Sequence, residues 1–380
     1  MVEYSYKRSG ICQARRSFCM NVTIVGIGNI GTQFAICAAK AGHQVTLFSS
    51  HKNTISKELT MVGEYDKVLT VQTMDTITDD PDTAFSQADL IISTVPAFAI
   101  ENLSKTLEPY FRKDLMVMLV PGIGGGEVWF TGLIEKGGVL LGLQRVPSVA
   151  RLKEYGKCVQ TIGYRNDLYV AAIPHSQVNK GIEVMEDFFH IKTHSLPGWI
   201  NLTMTPSNLI LHTTRLKTMF ENWNPDVYYP EIPLFYEGWT DEASRLLFAC
   251  DDEVQHLITK MPELRPEQVR SLKEHYESDT PEALTRKIRS IAGFKGIETP
   301  MIASEEGYQP DFSSRYFTAD FPFGLEILIQ IADLFDEEVP NMKETLAWYK
   351  KYVTPTAEFS FDRAGIHTRE DLLDFYSPER

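Results

Sequence analysis

Long hydrophobic runs are missing from this chain of 380 residues. The longest apolar stretches, such as residues 115–120, fall far short of the roughly 18 residues that a membrane-spanning helix needs. Positive charge is also scarce, because 37 basic residues stand against 51 acidic ones and the formal net charge is −14. The whole molecule therefore has no attraction for nucleic acid or anionic lipid, and any anionic ligand must be held by local positive features.

Paired cysteines are lacking too. The five cysteines are scattered and show no C-x-x-C spacing, which argues against a disulfide framework or a structural zinc site and suits a reducing cytoplasm. Residues 1–19 contain no apolar segment of the kind that a secretory signal needs, so we treat them as an N-terminal extension and expect Met20 to be the native start. Four histidines lie at no metal-ligand spacing from carboxylates, and we predict no catalytic metal. These histidines are His175, His194, His256 and His275.

Two patterns divide the rest of the chain. From residue 21 to about 174, short apolar runs alternate with helical stretches, as in a doubly wound parallel sheet covered by helices. After about residue 196, helix-start signals dominate, and they lie at Thr240, Pro266, Thr280, Pro340 and Thr368. We therefore predict an α/β domain over residues 20–200 and an all-helical domain over 201–380. The hinge is expected at residues 193–199.

A glycine motif follows the first predicted strand. Gly26, Gly28 and Gly31 form G-x-G-x-x-G between that strand and a helical stretch that ends before Gly42. This context is typical of a Rossmann-type dinucleotide site. Gly26 permits the tight turn, Gly28 lets the backbone approach a pyrophosphate, and Gly31 lets helix and strand pack closely. We expect the pyrophosphate at the helix N-terminus, beside Asn29 and Ile30.

The end of the second strand indicates which dinucleotide binds. NAD sites usually have an Asp or Glu there, whereas this chain has Ser49, Ser50 and Lys52. Two hydroxyls and a cation suit a 2′-phosphate, so we predict that NADP(H) is favoured over NAD(H). The alternative is a polar loop in which Lys52 is only solvated.

Two later strand ends are expected to face the crevice of the sheet. Thr94, Val95 and Pro96 end one strand and are predicted to line the nicotinamide side of the cofactor. Residues 121–126, which are rich in glycine, end the next strand. They form either a second anion site or simply a flexible turn.

The helical half carries two motifs. Asn208 and His212 are spaced i, i+4 and so share one helix face. Farther along, residues 315–325 read R-Y-F-T-A-D-F-P-F-G-L and open an apolar helix. A Rossmann domain followed by N-x-x-x-H and R-Y-x-x-x-D-x-P-x-G-L resembles the octopine/nopaline (opine) dehydrogenase family, over essentially residues 21–370. The resemblance implies NAD(P)H-dependent reductive condensation of an α-keto acid with the amino group of an amino acid.

The resemblance also implies residue roles. His212 matches the family's catalytic histidine, Asp320 its partner carboxylate, and Arg315 an arginine that binds a substrate carboxylate. Where many relatives have Pro after the histidine, this chain has Thr213. The chemistry suits these residue types, because histidine titrates near neutrality and the planar guanidinium of arginine binds carboxylates in a bidentate manner. Asn208 and Arg145 are further candidates for substrate binding, and Arg151 is an alternative cation facing the cleft.

Other interpretations of the same sequence stay open. His212 is alternatively an ordinary helix histidine, and Asp320 an N-cap before Pro322. One rival function is a ketopantoate reductase-like enzyme that reduces a simple 2-keto acid. Another is a dinucleotide-binding protein without turnover. Apolar helices of the second domain are expected to offer a surface for a homodimer.

Overall fold

The computed structural model describes residues 19–206 and 208–377, apart from the side chain of Glu267. The predicted extension over residues 1–19 lies outside these ranges except for Cys19. The strands are β1 Asn21–Val25, β2 Gln44–Phe48, β3 Glu58–Val62, β4 Val68–Thr73, β5 Thr76–Thr78, β6 Leu90–Ser93, β7 Met116–Leu119, β8 Val139–Leu143, β9 Val149–Glu154, β10 Cys158–Ile162, β11 Asp167–Ile173, β12 Lys192–Ser195, β13 Met301–Ser304 and β14 Gly307–Pro310.

The α-helices alternate with the strands in the first half and dominate the second. They are α1 Asn29–Ala41, α2 Pro81–Phe85, α3 Ile100–Leu107, α4 Thr131–Glu135, α5 Val178–Phe189, α6 Ile200–Thr203, α7 Asn208–Phe220, α8 Asp241–Ile258, α9 Leu272–His275, α10 Pro281–Ser290, α11 Arg315–Thr318, α12 Glu326–Leu334, α13 Pro340–Tyr352 and α14 Arg369–Tyr376. In the described ranges, no helix is both long and apolar enough to cross a membrane.

The main sheet has eight strands in the order β12-β11-β8-β7-β6-β1-β2-β5. Neighbouring strands from β8 to β5 are parallel, and β11 joins β8 in the antiparallel sense. The strand order reverses beside β1, whose neighbours are β2 and β6, and this is where a doubly wound sheet forms a ligand crevice. The prediction of a doubly wound domain followed by a helical domain is confirmed.

A second sheet, in the order β4-β3-β10-β9, was not predicted. It packs on α1, because Leu59, Met61 and Val159 share a buried apolar cluster with Phe34 of that helix. One of its strands also reaches the glycine turn, where the backbone N–H of Leu152 donates to Asn29 Oδ1 at 2.7 Å. The sheet therefore holds the start of α1 in place from the side opposite β1.

Side-chain caps start several helices of the second domain where the sequence predicts them. Thr240 and Thr280 each accept a backbone N–H three residues ahead, and Thr368 forms a reciprocal capping box with Asp371. The helix predicted to open at Pro266 is wrong. Only one 3₁₀ turn forms there, because Val269 has extended backbone angles and α9 begins later. The short β13–β14 hairpin is the one pairing of strands described in this half.

A buried carboxyl joins the two domains. Glu127 is fully buried, and its Oε1 accepts a hydrogen bond from Thr203 Oγ1 on α6 and one from the Tyr376 hydroxyl on α14, both at 2.6 Å. Burial raises the pKa of the Glu127 carboxyl above its ordinary value of 4.5, and the two hydrogen bonds oppose that rise. The neutral acid is therefore the form that the folded protein favours.

The raised pKa of Glu127 has a consequence for stability. A carboxyl whose pKa is higher in the folded state stabilises the fold below its unfolded pKa, and that contribution is lost as the pH rises through the folded value. Glu127→Gln keeps the accepting oxygen and removes the titration. We expect the free energy of unfolding of the variant, relative to wild type, to increase as the pH rises from about 4.5 through the folded pKa of Glu127, by about 1.4 kcal/mol per unit of pKa rise. Denaturant unfolding of both proteins across the pH range measures this. A constant difference at every pH would contradict the prediction.

Candidate active site

A cleft of about 1380 Å³ opens beside the carboxyl ends of the parallel strands and is closed on its far side by the helical domain. It brings together most of the residues that the sequence selects. From the first domain these are Asn29, Ile30, Thr94, Val95, Pro96 and Arg145, and from the second Asn208, His212, Arg315 and Asp320. Residues that lie more than 100 positions apart in the chain therefore face one space.

The glycine turn has the geometry that each glycine was predicted to provide. Gly26 has φ +90°, which favours glycine. A Cβ on Gly31 would lie 1.7 Å from the carbonyl oxygen of Gly26, so helix and strand pack too closely there for any side chain. A Cβ on Gly28 would meet no atom within 4 Å, which means that this backbone borders open space. No side chain caps the start of α1.

This open helix end fits the pyrophosphate of a dinucleotide. Helix α1 has 13 residues, and its first backbone N–H groups point toward the space above Gly28 with the positive end of the helix dipole. Thr94 fixes the turn from the next strand, because its Oγ1 donates to the carbonyl of Gly26 at 2.7 Å. Asn29 holds the neighbouring strand through its side chain, so its backbone is the part that faces a ligand.

The predicted 2′-phosphate residues lie away from the cleft lining, after β2. Ser49 binds through its backbone N–H to the carbonyl of Thr78, and its Oγ accepts from the N–H of His51 at 3.1 Å. Lys52 is not merely solvated, because its Nζ lies 2.6 Å from Asp79 Oδ1. Both side chains of that ion pair are more than a third exposed, so the pair is weak and Lys52 can exchange Asp79 for another anion.

The imidazole of His212 is bound at both nitrogens. Nδ1 lies 2.8 Å from Asp320 Oδ2, and Nε2 lies 2.8 Å from the hydroxyl of Tyr236. His212 is only 4% exposed, and the ring of Tyr316 lies 4.4 Å from its own. His212 and Asp320 thus form one hydrogen-bonded unit that faces the cleft, and the Asp320 side chain makes no cap hydrogen bond to the helical turn that follows it.

Helix α7 sets the position of that imidazole. Its 13 residues run without a break through Thr213, whose hydroxyl donates to the carbonyl of Leu209 at 2.7 Å. The Thr213 hydroxyl thus forms its hydrogen bond within α7, and His212 is positioned without a proline after it. Asp320 approaches from the other side, at the junction of α11 with a single π-helical turn over Phe321–Leu325. Such turns are frequent at functional sites.

Tyr236 is the residue of this unit that sequence reasoning missed. Its ring stacks on Phe294 with centroids 4.0 Å apart, and burial raises the pKa of its hydroxyl far above the ordinary value. The phenol therefore stays protonated and donates to Nε2 when His212 is neutral. Tyr236 lies in an irregular segment between α7 and α8, where no periodicity marks one aromatic residue as different from its neighbours.

Arg315 lies one residue before Tyr316, on α11, and lines the same cleft. Its side chain is exposed, and among the described residues no carboxylate forms an ion pair with it. Asn208, at the first residue of α7, is likewise exposed to the cleft. The described residues contain no cluster of three or more ligating side chains suited to a metal ion.

A dinucleotide turn, a helical second domain and an imidazole–carboxylate pair between them define a nicotinamide-dependent dehydrogenase. Comparison with known proteins is more specific. Residues 195–353 match the family model of the α-helical domain of NAD/NADP octopine/nopaline dehydrogenase, and residues 21–134 match that of the N-terminus of NAD-dependent glycerol-3-phosphate dehydrogenase. Over its helical domain the chain is similar to the octopine/nopaline (opine) dehydrogenase family. It is an oxidoreductase of the type that acts on CH–NH bonds with NAD(P) as acceptor.

Individual relatives agree over most of their length. The chain is 26% identical to the octopine dehydrogenase of Pecten maximus, over 95% of this chain and 96% of the relative. It is 28% identical to the opine dehydrogenase of Haliotis discus hannai, over 72% of each. A solved octopine dehydrogenase with NADH and L-arginine superposes with a TM-score of 0.80 at 23% identity, over 93% of this chain and 98% of that one.

The rival family shares the fold at a greater distance. A ketopantoate reductase from Ralstonia eutropha superposes with a TM-score of 0.55 at 14% identity, over 87% of this chain and 98% of that one. That likeness concerns the fold alone. The helical-domain match therefore favours an opine dehydrogenase over a ketopantoate reductase-like enzyme, the two enzyme classes that the sequence left open.

Proposed function

We propose that the protein catalyses the reductive condensation of an α-keto acid with the amino group of an amino acid, drawing on NADPH. The observation that carries this proposal is the His212–Asp320 pair, which faces the same cleft as the glycine turn. When bound, the nicotinamide supplies the hydride that reduces the imine formed by the two substrates. The chain's own residues bind the reactants, orient them and supply the proton.

The start of α1 and the turn over residues 26–31 hold the pyrophosphate, as their open N–H groups and the missing Cβ of Gly28 support. Residues 94–96 lie at the end of β6, which neighbours β1, and line the cleft beside that turn. They place the nicotinamide against the substrates. Positioning of this kind replaces an encounter of three molecules by one pre-arranged complex.

Proton supply is the role of the three-residue unit of Asp320, His212 and Tyr236. Asp320 accepts from Nδ1 of His212, which fixes the tautomer and stabilises the imidazolium. His212 and Tyr236 both line the cleft, and Nε2 of His212 is hydrogen-bonded to the Tyr236 hydroxyl, so we place that hydroxyl next to the substrate. The tyrosine O–H donates to the imine nitrogen, and the Nε2 proton of the imidazolium replaces the proton that the phenol loses. The substrate gains one hydride and one proton and becomes a secondary amine.

The experiment that tests the proposed function is an NADPH-oxidation assay with pyruvate and related keto acids, crossed with the common amino acids. We expect oxidation to require both a keto acid and an amino acid. Oxidation with a keto acid alone, unaffected by amino acids, would instead indicate a simple keto-acid reductase. Tight NADPH binding without turnover on any combination would indicate a binding protein.

Arg315 binds a carboxylate of a substrate. Its guanidinium presents paired N–H groups to the cleft, whereas a lysine ammonium provides only a point charge. We expect Arg315→Lys to raise KM for at least one carboxylate substrate by about tenfold, with kcat changed less. Steady-state kinetics with each substrate varied in turn measures this. Unchanged KM values for both substrates would remove Arg315 from the binding site.

The cofactor preference rests on Ser49, Ser50 and Lys52. We propose that Lys52 exchanges its exposed partner Asp79 for the 2′-phosphate of NADPH. Lys52→Ala should then lower the ratio of kcat/KM for NADPH over NADH by about tenfold, and Asp79→Asn should raise it. Lys57→Ala, at an exposed lysine nearby, is the matched control. A wild-type preference for NADH would contradict the proposal.

Two further expectations remain predictions. The charge and cysteine pattern favour a cytoplasmic location, and the apolar second domain favours a homodimer. Cell fractionation and light scattering, respectively, test them.

A further inference from the structure

The position of Tyr236 is not set by a regular helix or strand. The residue lies between α7 and α8, in residues 234–239, which we call the Tyr236 segment. One tight turn shapes this segment, in which the backbone N–H of Gly238 donates to the carbonyl of Leu234 at 3.0 Å. The hydrogen bond of 2.8 Å between the Tyr236 hydroxyl and His212 therefore depends on how the segment is held against α7, the helix that carries the imidazole.

Arg215 connects the segment to that helix. It lies three residues after His212 on α7, so the two side chains share one face of the helix. Its Nε donates to the carbonyl of Phe235 at 3.1 Å, and its Nη2 donates to the carbonyl of Gly238 at 2.6 Å. These two carbonyls lie on either side of Tyr236 in the chain. One guanidinium group therefore holds the segment at two points.

The guanidinium of Arg215 is buried without a counter-charge. The residue is 4% exposed, and in the part of the chain that the structure describes no carboxylate forms an ion pair with it. Burial, followed by the charge of Arg289, lowers the pKa of Arg215 to about 10, so the group stays charged near neutral pH. A buried cation is costly unless it is paired or hydrogen-bonded. Carbonyls of the Tyr236 segment provide the hydrogen bonds that compensate this cost.

The segment and the guanidinium approach most closely at Gly238. A Cβ on that residue would lie 2.6 Å from the carbonyl oxygen of Leu234 and 3.2 Å from Nη2 of Arg215. The missing side chain thus leaves room for both the turn and the guanidinium. At the end of the segment, the guanidinium carbon lies 5.7 Å from the ring centre of Trp239, within the range of a cation–π contact.

We propose that Arg215 is a positioning residue for the reductive condensation, because it holds the Tyr236 segment against α7 and so keeps the Tyr236 hydroxyl on Nε2 of His212. The inference rests on the proposed function, in which the proton reaches the substrate through that hydroxyl. Arg215 is absent from the cleft lining, so it acts through Tyr236 and not on the substrate. Proton transfer needs heavy atoms about 2.6–3.2 Å apart, and a displaced segment would lengthen that distance.

The test removes the guanidinium and leaves Tyr236 in place. We expect Arg215→Gln to lower kcat by about tenfold or more, with the Kd for NADPH and the KM values nearly unchanged, because only the proton path is displaced. Arg215→Lys keeps the charge but offers an ammonium in place of the two-point fork. Its kcat should lie between those of wild type and Arg215→Gln. The lysine variant also tests the inference if the glutamine variant does not fold.

Lys217→Gln is the matched control. Lys217 is a second buried cation of α7, and its Nζ lies 2.9 Å from Glu344 and 3.1 Å from Glu221, outside the cleft lining. Its replacement should lower stability, because it leaves a buried ion pair broken, and should retain wild-type kcat. If Lys217→Gln lost as much kcat as Arg215→Gln, the effect would be a general weakening of α7, and the inference would be overturned.

A double-mutant cycle with Tyr236→Phe identifies the group through which Arg215 acts. Where that hydroxyl is already absent, Arg215→Lys should change kcat by less than about twofold. The same fold loss with and without the hydroxyl would overturn the inference and leave reductive condensation intact, as would wild-type kcat in both single Arg215 variants. Wild-type kcat in Tyr236→Phe alone would overturn the proton path of the proposed function and this inference with it.

Discussion

Replacing His212 by alanine should lower kcat for reductive condensation by about 10²- to 10⁴-fold and leave the Kd for NADPH nearly unchanged. The reason is geometric, because the imidazole lies on α7 of the helical domain, whereas the glycine turn belongs to the first domain. Loss of His212 removes the source of the proton and leaves Asp320 without its partner. Steady-state kinetics and NADPH titration by fluorescence measure the two effects separately.

A matched control exists on the next helix. His256 on α8 also pairs with a carboxylate, since its Nε2 lies 3.0 Å from Glu337, but it is exposed and does not line the cleft. His256→Ala should retain wild-type kcat. Equal kcat values in wild type and His212→Ala would refute the role assigned to His212.

Removing the hydroxyl of Tyr236 is expected to have the second-largest effect. Tyr236→Phe should lower kcat by about 10²-fold or more, because Nε2 of His212 would lose the group through which its proton reaches the substrate. The ring of phenylalanine keeps the stacking on Phe294. Thermal stability and the Kd for NADPH should therefore change little.

The control is Tyr349→Phe, at a buried tyrosine that stacks on Phe321 outside the cleft lining. If Tyr236 only restrained the imidazole, its removal would free Nε2 to donate directly, and kcat would hold or rise. That result would remove Tyr236 from the proton path and leave His212 as the direct donor. A solvent isotope effect on kcat that is present in wild type and altered in Tyr236→Phe distinguishes proton transfer from a packing role.

Local sequence signals account for much of the fold. The glycine motif needs only a strand before it and a helix after it, and both occur where predicted. Helices begin at Thr240, Thr280 and Thr368 because each cap is satisfied within four residues. These elements are determined by residues close together in the chain, so they can be predicted from the sequence.

The second sheet could not be predicted from the sequence, because it pairs strands that lie far apart in the chain. Strand β3 pairs with β10 about 100 residues later, and β4 is an exposed strand with little apolar pattern. The same limit applies to the site. Motif spacing selected His212, Asp320 and Arg315, whereas Tyr236 joins them in the cleft only after the chain has folded. No local pattern distinguishes Tyr236 beforehand.

The most direct test of reductive condensation follows the hydride into the product. NADPH deuterated at the transferring position of the nicotinamide is incubated with the enzyme, pyruvate and an amino acid, and the product is analysed by mass spectrometry. We predict a secondary-amine dicarboxylate that carries one deuterium on the former keto carbon, next to the new C–N bond. Deuterated lactate as the product, in the same amount with or without the amino acid, would contradict the account.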